Sequence, residues 1–241
     1  MNKNNVDIDS SLSIGIVGCS SEGAALCYQT LCQEAQNQLG NYQHPQIAMH
    51  THSLSHYVDC LKKGNLQGVA DLMLSSANHL KNAGAQLLIC PDNTIHQAFE
   101  WVEQASPLPW LHIARVVAAE AKRSGYQRLG LTGTHWLVNS SVYPGILEKE
   151  SLACVKPNAE QVDEVGRIIM EELVHGVFKE DSIRYFQTVI NNLKQQGCDA
   201  VILGCTEIPL IINDGNSALP TLDSTRLLAK AALKKSLEGV K

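Results

Sequence analysis

The 241-residue chain is predicted to be an α/β protein of two similar parallel-sheet domains related by internal duplication, with the active site in the cleft between them. Three observations predict this. Short apolar runs alternate with stretches of helical composition, the pattern that βαβ units give. Two of the runs, in different halves, end alike: an apolar strand opens into polar residues and then a helical stretch. The most apolar run, Ala200-Val201-Ile202-Leu203, is of the kind that makes a strand buried on both faces.

Strands are expected at Ile14 to Val17, Ile47 to His50, Leu87 to Ile89, Trp110 to Ile113, Leu129 to Leu131 and Val201 to Leu203. The polar segment of residues 1–13 has no apolar core segment and reads as a flexible N-terminal extension, not a secretory leader. The first domain is expected over 14–115 plus 222–241, and the second over 116–221.

The most informative stretch is AVILGCTEIPLII, from Ala200 to Ile212. The strand stops at Gly204, where backbone can approach another group closely, and Cys205 stands at its carboxyl end. Pro209 is tolerable only in the first turn of a following helix, where its missing N–H costs nothing. A thiol at a helix start meets free N–H groups and the positive end of a helix dipole, which lower its pKa and can hold a carboxylate. The second copy is Ala85-Gln86-Leu87-Leu88-Ile89-Cys90, which runs into Pro91-Asp92-Asn93-Thr94-Ile95-His96 and a helical stretch from Gln97 to Gln104. Its lead-in, Lys81 to Ala85, matches Gln195 to Ala200. Polar residues just past strand carboxyl ends line ligand crevices in open α/β sheets, so the two loops are expected to face one cleft.

Composition narrows the function. A formal net charge of −5 leaves no basic footprint for nucleic acid and no attraction to anionic membranes, and no segment is long and apolar enough to span a bilayer. The eight cysteines are scattered, without a CxxC pair, which fits a reduced, cytoplasmic protein. His50, His52 and His56 lack cysteine or acidic partners at ligand spacing, so no metal is expected. The glycine-rich start, Gly15 to Gly23, departs from G-x-G-x-x-G and has no acidic residue at the right distance, so it is not read as a dinucleotide site.

From Ile14 to Leu237 the chain resembles the aspartate/glutamate racemase superfamily. The resemblance rests on Ile14-Gly15-Ile16-Val17-Gly18, Pro91-Asp92-Asn93-Thr94, Pro109 to Ala114, Gly133-Thr134, Gly204-Cys205-Thr206-Glu207-Ile208-Pro209 and Pro220 to Thr225. It implies a cofactor-independent isomerase acting on an amino acid, and a homodimer. In such enzymes one residue removes the α-proton from one face and a second delivers a proton to the other, so two acid/base groups must flank the substrate. Hydrogen-bond donors hold the substrate carboxylate as charge develops toward an enediolate. The resemblance implies Cys205 as one catalytic residue, with Asn93, Thr94, Thr134, Thr206, Ser20, Ser21 and Glu207 as substrate contacts.

Where the family carries its first catalytic cysteine, this chain has Asp92. Cys90 is two residues earlier, about 6 to 7 Å down the strand on the same face, and is expected to be core. Asp92 either serves as the second acid/base or caps the following helix, and the residues alone leave both open. Family enzymes that prefer aspartate place an arginine in the segment matching His44 to Thr51 and a lysine in that matching Glu171 to Gly176. This chain has His50 and Val174 there. A histidine lacks permanent charge and the bidentate fork, so His50 is expected to contact substrate without imposing strict aspartate or glutamate specificity. Two alternatives stay open: a decarboxylase or isomerase using Cys205 alone through an enediolate, and a non-catalytic ligand-binding homologue.

Overall fold

The computed structural model describes residues 10–239, so most of the N-terminal extension read from the sequence lies outside the described residues. The described chain divides into two compact units, one running to Ile113 and resuming at Leu228, the other Ala114–Leu227.

In the first unit the order is β1 (Ile14–Gly18), α1 (Ser21–Leu39), β2 (Ile47–Thr51), α2 (Leu54–Lys62), α3 (Leu66–Asn82) and β3 (Leu87–Ile89). A 3₁₀ helix, Thr94–Ala98, then runs into α4 (Phe99–Ala105), and β4 (Trp110–Leu111) precedes α5 (Ile113–Arg123). The four strands form one parallel sheet in the order β2-β1-β3-β4. The second unit contains β5 (Arg128–Thr132), α6 (His135–Val138), α7 (Val142–Lys149), β6 (Ala153–Val155), α8 (Ala159–Glu171), α9 (Glu180–Gln195), β7 (Ala200–Leu203) and β8 (Thr221–Asp223), followed by α10 (Ser224–Leu237). Its parallel sheet has the order β6-β5-β7-β8, the same winding as the first. The two similar α/β domains expected from the sequence are therefore present.

The repetition extends to single contacts. At the end of α3, Ala85 N–H donates to the Leu80 carbonyl and Gly84 N–H to the Lys81 carbonyl, both at 3.0 Å, with Gly84 at φ 92°. At the end of α9, Cys198 donates to Leu193 at 3.1 Å and Gly197 to Lys194 at 2.9 Å, with Gly197 at φ 85°. Both are Schellman closures, in which the left-handed residue is most cheaply a glycine. The leucine that opens each closure then packs against a glycine in the central strand. A Cβ on Gly15 would stand 3.2 Å from Leu80 Cβ and 2.6 Å from Leu88 Cδ2, and one on Gly130 would stand 2.8 Å from Leu193 Cδ1. Each glycine thus lets a helix end lie directly on its sheet.

Burial follows the strand period. In the second unit Leu129, Leu131, Ala200 and Ile202 face one apolar cluster, whereas Val201 and Leu203 face another with Val189, Ile190 and Leu193 of α9. Burial on both faces is why β7 reads as an unbroken apolar run. The edge strands β6 and β8 are only partly buried, and for that reason carry no such run and were not anticipated.

Three local expectations are corrected. The strand expected to reach Ile113 stops at Leu111, because Ile113 N–H turns to His96 Nε2 at 3.4 Å and opens α5. The helix expected from Gln97 starts as the 3₁₀ turn at Thr94. After Cys205 no α-helix begins: Pro209 lies in a single 3₁₀ turn, Ile208–Leu210. No helix among the described residues is long and apolar enough to cross a membrane.

Gly197→Ala forces a side chain into left-handed backbone without removing a contact, and is expected to cost about 1 to 2 kcal/mol and lower the melting temperature by a few degrees. Gly145→Ala in α7, where an added Cβ meets nothing within 4 Å, is the control and should melt no lower than the parent.

Candidate active site

In each sheet the chain runs from the first strand outward to a neighbour and then crosses back to the other side. The carboxyl ends of β1 and β3, and of β5 and β7, therefore lie at topological switch points, where open α/β sheets leave a crevice for ligands. Cys19-Ser20 and the segment from Cys90 to Thr94 meet at the first. Gly133-Thr134 and the segment from Gly204 to Glu207 meet at the second.

At the first switch point Ser20 is the N-cap of α1, its hydroxyl accepting from Gly23 N–H at 3.2 Å, while the exposed Ser21 donates to Glu22 Oε2 at 2.8 Å. Asp92 Oδ1 accepts from Ile95 N–H at 3.1 Å, so the carboxylate does cap the following turn. The loop is locked by His96, whose Nδ1 donates to the Asp92 carbonyl at 2.6 Å and whose Nε2 accepts from Ile113 N–H. Asn93 is 2 % exposed and Thr94 partly so, both beside Asp92. Cys90 is fully buried, and burial with the neighbouring Asp92 charge pushes its thiol well above the ordinary range. It is an inert core thiol.

His50, near the carboxyl end of β2, is engaged by α3. Its Nδ1 bonds the Ser76 hydroxyl of α3 at 3.0 Å, and its ring stacks on His79 at 4.3 Å with His52 edge-on at 4.9 Å. Partial desolvation and the two neighbouring imidazoles lower its pKa, so the ring is chiefly neutral near pH 7 and offers no standing cation. No metal-binding group of His, Cys, Asp and Glu occurs among the described residues. Val174 lies in a 3₁₀ turn, Leu173–His175, and packs against the core of its unit.

At the second switch point two glycines bring the loops together. Gly204 N–H donates to the Thr132 carbonyl at 2.9 Å, and a Cβ on Gly204 would stand 2.5 Å from that oxygen. Gly133, at φ 156°, leads into the buried Thr134, the N-cap residue of α6. Cys205 is partly exposed and its thiol donates to Glu207 Oε2 at 2.9 Å, while Thr206 and Glu207 are buried. Beyond the thiol lies only a 3₁₀ turn, Ile208–Leu210, and no α-helix.

The two loops correspond residue by residue. Leu80 and Leu193 open the same closure, Leu88 and Val201 pair with Gly15 and Gly130, and counting on by equal steps brings Asp92 level with Cys205 and Ile95 level with Ile208. The counterpart of Cys90 is Leu203, a core residue. Sequence reasoning did not anticipate the Cys205–Glu207 bond or the buried Tyr57 of α2, which packs beneath the first loop. Neither leaves a trace in spacing or composition.

Twin parallel-sheet units, each with a polar switch-point loop, define a protein built to bind a small molecule at strand carboxyl ends. A model of the Asp/Glu/Hydantoin racemase family matches residues 16–232, and the chain belongs to that family. It is 21% identical over 211 residues to the broad specificity amino-acid racemase RacX of Bacillus subtilis (strain 168), covering 86% of this chain and 88% of that one. Among solved structures, a Yersinia pestis protein assigned to the Asp/Glu racemases is 33% identical, with a TM-score of 0.86 over 94% of this chain and 99% of that one. An aspartate racemase homologue from Pyrococcus horikoshii OT3 is 26% identical, with a TM-score of 0.81 over 93% and 98% of the two chains.

Burial ranks the thiols. Native labelling with iodoacetamide should reach Cys32, Cys60 and Cys205, all partly exposed, before the buried Cys27 and Cys90. Early labelling of Cys90, read by peptide mass mapping, contradicts its assignment to the core.

Proposed function

We propose that the protein is a cofactor-independent amino-acid racemase that moves the α-proton between Asp92 and Cys205. The observation that carries this reading is the equivalence of the two residues within the duplicated frame, Asp92 the third residue past β3 and Cys205 the second past β7, each leading into a 3₁₀ turn. A two-base racemisation needs one acid/base group for each face of the α-carbon, and duplication supplies two homologous positions. The names of its relatives also favour a racemase over a decarboxylase or a binding protein.

In this mechanism the Asp92 carboxylate takes the α-proton from one face, and Cys205 gives its thiol proton to the other. In the hydrogen bond to Glu207 Oε2 the Cys205 thiol is the donor, an arrangement consistent with Cys205 as the acid and Asp92 as the base for one enantiomer. The product state, protonated Asp92 and a Cys205 thiolate, handles the opposite enantiomer. Asn93, Thr94, Thr134 and Thr206 hold the substrate carboxylate as it becomes an enediolate, with Ser20 and Ser21 flanking the first loop. Eight scattered cysteines without a CxxC pair support a cytoplasmic location, and the family resemblance supports a homodimer.

The cap on Asp92 makes one substitution discriminating. Asparagine caps as well as aspartate, so Asp92→Asn should keep the melting temperature while racemisation falls about a hundred- to ten-thousand-fold. Exchange of the α-proton of one enantiomer in deuterium oxide, served by Cys205, should outlast racemisation and retain configuration. Racemisation at the parent rate in Asp92→Asn makes Asp92 a cap only. Cys205→Ser should abolish racemisation with the fold intact, leaving at most exchange of the enantiomer whose α-proton faces Asp92, and full racemisation there rules out the mechanism. Because His50 is turned to Ser76 and Val174 is apolar, aspartate and glutamate should be poorer substrates than neutral amino acids. Kinetics showing a strong preference for aspartate, with no neutral amino acid turned over, contradict that expectation.

A further inference from the structure

Four of the nine histidines gather at the carboxyl end of β2: His50 on the strand, His52 just past it, His56 on α2 and His79 on α3. The His50 ring lies over that of His79 at 4.3 Å, nearly parallel at 12°, and meets the His52 ring edge-on at 4.9 Å. Two bonds tie the cluster to α3, His50 Nδ1 to the Ser76 hydroxyl at 3.0 Å and His52 Nε2 to the Ser75 hydroxyl at 3.1 Å. His79 Nδ1 donates to the Ser75 carbonyl at 2.8 Å. Between the two β2 histidines, Thr51 packs on Gly18 of β1, where an added Cβ would stand 2.4 Å from Thr51 Cγ2. Gly18 leads directly into Cys19 and Ser20, the loop at the first switch point.

The charges that act on these rings come from one another. His50 is influenced by His79 and His52, and His52 by His56 and His79. The paired strand β1 carries no titratable side chain over Ile14–Gly18. On the packed helices Asp59 and Lys62 of α2, and Asp71 and Lys81 of α3, are not among the charges that shift either ring, and Asp71 accepts from Gln67 Nε2 at 2.9 Å. Tyr57 of α2 lies against Ser76, and burial keeps its phenol neutral. Neutral imidazoles stack without penalty, whereas two imidazolium rings at this separation repel, with no carboxylate to offset the charge. We propose that the cluster is an acid-released latch: neutral, it clamps the end of β2 to α3 and, through Thr51 on Gly18, holds the Cys19-Ser20 loop; protonated, it lets strand end and loop loosen together. The latch belongs to the fold and stands whatever reaction the site performs. Partial desolvation, followed by the neighbouring imidazoles, lowers the pKa of His50 and His52 in the folded chain. Their contribution to stability is therefore complete above the unfolded value of about 6.5 and is lost as the pH falls through it and then through the lowered folded values. The rings are half exposed, so solvent screens the repulsion and the effect is modest.

The test compares the full chain with the double variant His52→Gln/His79→Gln, in which glutamine keeps a hydrogen-bonding group but cannot take up the charge. Between about pH 7.5 and 5, at low ionic strength, the parent should lose about 1 to 4 °C more of its melting temperature than the variant, and high salt should narrow the gap. By NMR, the His50 ring should titrate at lower pH in the parent than in the variant. The backbone amides of Gly18 and Ser20 should shift with the same midpoint as the His50 ring in the parent, and stay still over that range in the variant. Parallel melting profiles in the two proteins overturn the inference. So do Gly18 and Ser20 amides that do not follow His50 in the parent, since the strand end is then uncoupled from the loop. Should the double variant fail to fold, His79→Gln alone removes the stacked ring, and the same outcomes decide.

Discussion

Each sheet is held at its centre by a strand glycine that receives the leucine opening a helix-ending turn. Gly15 against Leu80, and Gly130 against Leu193, bring helix backbone close to sheet, and the Schellman closure that follows leaves the chain one direction in which to enter the next strand. The strand is short, so the residues past its end are set in height by the same contact. Asp92 and Cys205 come level in their frames because each is counted from one of these leucines. A wider helix-to-sheet spacing at either glycine would slide the loop that carries Asp92 or Cys205, and in the proposed mechanism misplacement of either by about 1 Å would cost on the order of a hundredfold in rate.

On this repeated frame the two loops differ chemically. The first ends in a carboxylate tied to a backbone N–H, the second in a thiol tied to a carboxylate. Ile95 N–H satisfies part of the Asp92 charge, and the anion is compatible with the base role assigned to it. Glu207 accepts a hydrogen bond from the thiol, and a donor thiol is compatible with the acid role assigned to it. A pair of cysteines would need the surroundings to choose which is ionised. Here the residue types make the choice, which gives the replacement of a cysteine by Asp92 a chemical sense within the proposed mechanism.

Much of the frame was legible because it is written in residue types that backbone geometry demands. Apolar runs marked β3 and β7, and the matching lead-ins around Gly84 and Gly197 marked the duplication. Asp92 was legible as the residue in place of a cysteine, and its capping bond was one of the two roles read for it. The 3₁₀ turn after Cys205 was not legible: Pro209 suits the first turn of any helix, and the turn ends because Ile211 to Gly215 fold back on Asn213 and Asn216 through side-chain bonds that no local pattern encodes. The edge strands escaped because half-buried strands carry no apolar run. His50 stood at a telling position in the sequence, but its direction is decided by Ser76 and His79 on α3, residues distant along the chain.

Duplication does not extend to what lies beneath the loops. Under the second loop the packing is apolar, with Leu203 and Ile208 joining Ile168, Phe186 and Val189 in one cluster. Under the first loop the same depth holds the thiols of Cys19 and Cys90 and the phenol of Tyr57, with the Ser76 hydroxyl beside it. Polar groups at that depth cost stability and do nothing for the strand pairing above them, since Ile89 and Ile202 hold their ladders alike. Proton transfer needs matched loops, and selection of a side chain needs a difference between them. Within the proposed mechanism the frame supplies the matched loops by repetition, and the packing beneath β1 and β3 is where the repetition gives way.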